Sequence, residues 1–154
     1  MAIPLIEQVK IQARVLVPLV RVLRSELGAE RADALVRKAI GPIYRGYGEA
    51  WWEQGASDFA QVLNTSFQRF ASAEALDYEV VEQTPDTFEV KVTGCRYARF
   101  YQELGEPELG FLLTCSADFS LAEGFPGVEL TRTQTIMQGA GHCDFRFKLR
   151  KTPT

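Results

Sequence analysis

The run VTGCRYARFYQELG places Cys95 where a strand pattern gives way to a helix pattern. A thiol at a helix N-terminus feels the positive end of the helix dipole, and Arg96 and Arg99 add charge nearby. Both effects favour a thiolate, and a thiolate is a nucleophile. Packing alone would also accept a small buried cysteine at such a junction. Cys115 and Asp118 stand three residues apart in PELGFLLTCSADFSLAEG and so share one helix face. Asp118 lies at the border of an apolar surface, where a carboxylate needs a partner. It could serve as an acid or base, orient a histidine, or accept a structural hydrogen bond.

His142 is the single histidine of the chain and sits in GAGHCDFRF beside Cys143 and Asp144. A histidine there could be a general base near neutral pH. Strand alternation puts Cys143, Phe145, Phe147 and Leu149 on one face, and Asp144, Arg146 and Lys148 on the other. In LTRTQTIMQG, Thr131, Thr133 and Thr135 share one face, while Arg132 is in phase with Leu130. If that second face points inward, Arg132 is a buried cation that requires a carboxylate from the protein or from a ligand. Three cysteines and one histidine would suffice in number for zinc, but no Cys-x-x-Cys knuckle is present and no metal or other cofactor is expected. Tyr44, Tyr47, Trp51 and Trp52, at helical spacing, read as core or as a dimer surface.

These residues need elements to position them. Apolar spacing predicts a first helix over about 3–26, interrupted at Pro18, and a second over about 29–53, interrupted near Gly41-Pro42. A third covers about 56–74, capped by Ser57 or Asp58. The pattern then alternates: Leu76, Tyr78 and Val80 mark one strand, and Phe88, Val90 and Val92 mark a second across the turn Thr84-Pro85-Asp86. A short helix over 95–104 follows, then a longer one from Pro107 to about Glu123. Strands over 128–137 and 143–150 close the chain. The expectation is one α+β domain over 1–154. A helical N-terminal half precedes an antiparallel sheet of about four strands (β-β-α-α-β-β), with helices packed on one face.

The run from Thr93 onward is more distinctive than its parts. Cys95-Arg96-Tyr97, Gly-Glu-Pro-Glu-Leu, Cys115 with Asp118, Thr-Arg-Thr, and the closing Gly-x-x-His-Cys-Asp-Phe occur in order. Over roughly residues 76–148 the chain resembles the L-2-amino-thiazoline-4-carboxylic acid hydrolase family. The resemblance implies hydrolytic opening of a small cyclic amidine to N-carbamoyl-cysteine, by thiol or activated-water attack at ring C2. It suggests Cys95 as nucleophile, His142 as acid–base and Asp118 as its orienter. Arg132 would hold the substrate carboxylate, with Cys115 and Thr133 as further substrate contacts. Cys143 and Asp144 would support these groups or replace them as nucleophile and base. The last strand is more distantly similar to small-molecule-binding domains of the four-vinyl-reductase type. The alternative reading is therefore a non-catalytic small-molecule-binding or sensor domain on the same fold.

Composition narrows the remaining classes. The 154 residues carry 46% hydrophobic and 24% charged side chains, as an ordinary folded domain does. A net charge of −3 speaks against a dedicated nucleic-acid binder, which would show a basic footprint. No segment reads as a secretory signal or a membrane span, so no membrane partner is expected. The odd, scattered cysteines fit a reducing cytoplasm. The expected partner is a small-molecule substrate or ligand, with a homodimer as a possible assembly.

Overall fold

A computed structural model describes residues 2–150. Two long helices lead: α1 over Leu5–Leu27 and α2 over Ala29–Gln54. Both run straight through the prolines expected to break them. In α1 the buried residues Ile6, Ala13, Val17 and Val20 lie on both sides of Pro18 along one face. Pro18 itself faces solvent, as does Arg14, whose carbonyl loses its helical donor. Continuing the helix keeps the apolar stripe in the core, and that burial outweighs one missing hydrogen bond. The same holds for the exposed Pro42 in α2.

Helix α3 spans Phe59–Ala71, and Asp58 caps it by accepting from the Gln61 N–H at 2.9 Å. It buries Phe59, Val62, Leu63 and Phe67 against the sheet. The sheet is antiparallel throughout, in the order β1-β2-β4-β3. Its strands are β1 (Leu76–Gln83), β2 (Thr87–Cys95), β3 (Val128–Thr131) and β4 (Cys143–Leu149). Phe88, Val90 and Val92 of β2 point into the core with Cys143 and Phe147 of β4. Lys91, Arg146 and Lys148 face out. The chain is thus α+β, with a helical first half and a four-stranded antiparallel sheet, as the alternation implied. In edge strand β1 only Leu76 and Tyr78 are covered. A register shift between Val80 and Glu82 leaves Val80 exposed, against the expected alternation.

Between β2 and β3 lie α4 (Arg96–Glu103), α5 (Pro107–Gly110), a π-helical turn over Phe111–Cys115 and α6 (Ala117–Glu123). The expected single helix from Pro107 to Glu123 therefore has a widened turn in its middle. There the Ser116 N–H reaches back five residues to the Phe111 carbonyl at 2.8 Å. The Leu112 carbonyl, left without a backbone donor, accepts from the Ser116 hydroxyl at 2.6 Å. Helix α6 then packs hard on α2. A Cβ at Gly48 would stand 2.1 Å from the Leu121 carbonyl oxygen, so only glycine permits this approach.

The threonine strand is shorter than its alternation predicts. It ends at Thr131, not at 137. The chain leaves the sheet because Asp144 captures it. The carboxylate of Asp144 accepts from the N–H groups of Thr133 and Gln134, each at 2.9 Å, and from the Thr133 hydroxyl. A 3₁₀ turn over Ile136–Gln138 follows, capped by Thr135.

Candidate active site

A mostly apolar cavity opens between α3, the inner sheet face and the π turn. Phe67, Phe70, Phe125, Phe145 and Phe147 supply much of its wall. About 80 Å³ of it is open to the centres of water molecules, where a single water occupies roughly 10–15 Å³ on that measure. That is room for several waters or a small ring. Cys95, Cys115 and Cys143 all line it, together with Thr114, Thr135, Asp118 and Arg132.

Each of these comes from a different device of the fold. Cys95 ends β2 and caps α4, its Sγ accepting the Ala98 N–H at 3.4 Å. Cys143 opens β4 and accepts the Ile136 N–H at 3.2 Å. The π turn presents Cys115 and, one turn on, Asp118. Arg132 turns inward just past β3. Its Nη1 donates to Asp118 Oδ2 at 2.9 Å and its Nη2 to the Cys115 carbonyl at 3.2 Å. That carbonyl is available because the widened turn leaves it no helical donor. Phe119 and Phe145 lie against the guanidinium, with ring centroids 4.9 Å and 5.3 Å from its carbon. The Arg132 side chain is 3% exposed and that of Asp118 19%. Thus the buried cation foreseen in the sequence takes its carboxylate from the protein, and the carboxylate is Asp118.

Burial governs protonation here. It pushes the Cys95 thiol up to about 11, against the Ala98 and Tyr97 N–H groups that favour its thiolate. The expected help from Arg96 and Arg99 is absent, because both point outward to Glu74 and Glu103. Burial also raises Cys115 strongly, and it raises Cys143 in spite of the Ile136 N–H and Arg132. The Asp118 carboxyl is raised by burial to about 6, against the pull of Arg132.

Three expected site residues lie elsewhere. His142 is outside the cavity lining; it lines an outer depression with Asp144, Lys91 and Arg146. Its carbonyl accepts from Gln134 Nε2 at 3.0 Å. The expected Asp118–His142 pairing is therefore not formed; Arg132 takes its place. Asp144 stands on that outer side, as alternation required. Burial alone would raise it, but hydrogen bonds from Thr133 and Gln134 hold it below the ordinary carboxylate range. Thr133 spends its hydroxyl and N–H on Asp144 and does not line the cavity. Conversely, sequence reasoning did not foresee Thr114, Ser66, Tyr97 or the rings around Arg132. The available signals were the spacing of Phe111 and Phe119 about Cys115 and the alternation that sets Phe145 on the face of Cys143. Among the described residues, no group of three or more His, Cys, Asp or Glu converges closely enough to hold a metal ion. No described helix is long and apolar enough to cross a membrane.

A small α+β protein with one buried ion pair and three thiols around an apolar cavity defines the class. Within that class, a family model places the chain more narrowly: L-2-amino-thiazoline-4-carboxylic acid hydrolase matches residues 8–147. The chain belongs to this family, and the match takes in the helical first half, which carries no motif legible on its own. No curated protein matches the chain in sequence.

Proposed function

We propose that the chain hydrolyses a small cyclic amidine bearing a carboxylate, of the kind the family name describes, inside this cavity. The observation that supports it is the Asp118–Arg132 pair, the only charged side chains among the described residues of a mostly apolar wall. Arg132 suits the substrate carboxylate, and Asp118 suits the amidinium nitrogens. Water is the attacking group in this reading. A thiol at about 11, such as Cys95, is ionised only about once in ten thousand molecules at pH 7. The water oxygen bonds to ring C2 and the C2–S bond breaks. The ring sulfur leaves as a thiol, and C2 becomes the carbonyl carbon of a urea. Relative to the amidinium form of the substrate, one proton is released. Asp118, raised to about 6, takes the proton from water and returns one to the leaving sulfur.

The test is incubation of reduced protein with L-2-amino-thiazoline-4-carboxylate, following N-carbamoyl-cysteine by mass spectrometry. Turnover by the native chain, lost at least about 100-fold in Asp118→Asn, is the expected result. Ligand binding without product would favour the second reading, a binding domain. The uniformly neutral thiols of the cavity are the observation on its side.

A further inference from the structure

We propose that the Asp118–Arg132 pair is a charge filter. The cavity admits small rings that leave its net charge at zero: a zwitterionic ring carboxylate as it stands, and a simple ring carboxylate only together with a proton. The inference rests on the cavity being the ligand site, but it concerns selection before any chemistry.

The geometry leaves an incoming carboxylate little freedom. Among the described residues of the lining, Arg132 is the one basic side chain and Asp118 the one acidic side chain. The guanidinium already donates to Asp118 and to the Cys115 carbonyl, and its surroundings are aromatic rings. A ligand carboxylate at Arg132 must therefore share the guanidinium with Asp118 or displace it. Either way two carboxylates face one cation in an apolar wall, the arrangement that burial penalises most. Two remedies exist. The ligand brings its own cation to Asp118, or Asp118 takes up a proton.

No other described group nearby can balance the charge. The titratable groups close enough to feel Asp118 are Arg132, Tyr44 from α2, Tyr97 from α4, Cys95 at the end of β2, Cys115 from the π turn and Cys143 from β4. Burial raises both phenols and all three thiols, so they stay neutral from pH 5 to 8. His142 lines the outer depression. Over that range Asp118 alone among them changes charge.

Two five-membered probes isolate the effect: L-proline, which carries a ring ammonium, and cyclopentanecarboxylate, which does not. Calorimetric titration of the native protein should give proline an affinity constant within about twofold from pH 6 to 8. Cyclopentanecarboxylate should weaken by close to tenfold per pH unit above about 6. It should also take up about one proton per ligand at pH 8, counted in buffers of different ionisation heat. Asp118→Asn should abolish that proton uptake and cost proline at least about tenfold. Equal pH slopes for the two probes would overturn the proposal. So would the absence of proton uptake, or failure of both rings to bind at millimolar concentration. The proton count needs only the native chain, so it decides the matter even if the variant does not fold. Because no turnover is read, a protein that filters charge but makes no product would sink the hydrolase reading and leave this one standing.

Discussion

Cys95 shows how two opposed effects settle at one atom. The helix start and two N–H groups favour its thiolate, yet desolvation wins and the thiol rises to about 11. Helix-end effects amount to roughly 0.3–1 kcal/mol, whereas one pKa unit corresponds to about 1.4 kcal/mol. An upward shift of this size is therefore beyond what the helix end can offset. Cys95→Ala should accordingly keep turnover within about tenfold of native, while Asp118→Asn loses about 100-fold or more. Steady-state rates of the two variants check this. A dead Cys95→Ala with a folded circular dichroism spectrum would restore the thiol as nucleophile. At this scale the sequence was informative about membership. Cys95, Cys115, Asp118, Arg132 and Cys143 all reach one cavity. It was uninformative about partnership. His142 adjoins Cys143 in sequence but lies outside the cavity lining: it sits in the bend before β4, on the outer side with Asp144.

The elements were legible wherever periodicity decided them: three helices, though without the interruptions expected at Pro18 and Pro42, the β1–β2 hairpin and strand β4. They were illegible wherever one side chain overrode local propensity. The π turn exists through Ser116 and Arg132 taking freed carbonyls, and β3 stops short because Asp144 draws Thr133 and Gln134 aside. Neither contact has a local sequence signature. Two glycines of α2 put the element scale to a direct test. Gly46 meets nothing within 4 Å, so Gly46→Ala should stabilise the protein by up to about 1 kcal/mol through helix propensity alone. Gly48, two residues on, would drive a Cβ into the backbone of α6. Overpacking of that kind costs about 1–3 kcal/mol and exceeds the propensity gain. Gly48→Ala should therefore destabilise the protein and weaken turnover with it, since α6 carries Asp118. Urea midpoints of the two variants must move in opposite directions; movement in the same direction refutes the close α2–α6 crossing.

For the molecule as a whole, the ion pair leaves a mark on stability that needs no substrate. The Asp118 carboxyl sits near 6 when folded and near its ordinary value of 3.8 when unfolded. Between those pH values the folded state holds a proton that the unfolded state has released. Stability from this group is therefore full below about pH 4 and is lost as pH rises through 6, opposite in sign to an ordinary ion-paired carboxylate. The loss should be about 2 kcal/mol, allowing for the partial exposure of the side chain. Asp144 works the other way. Held low by Thr133 and Gln134, it contributes stability above its unfolded value, and that contribution is lost as pH falls through its depressed folded value. The two contributions separate by comparison rather than by inspection of one curve. Urea unfolding of native protein and of Asp118→Asn, measured from pH 4 to 8, shares every carboxylate but one. The difference between the curves should change by about 2 kcal/mol, mostly between pH 4 and 6, with the native chain relatively more stable on the acid side. A flat difference would place Asp118 at an ordinary carboxylate value and remove both its acid–base role and the charge filter together.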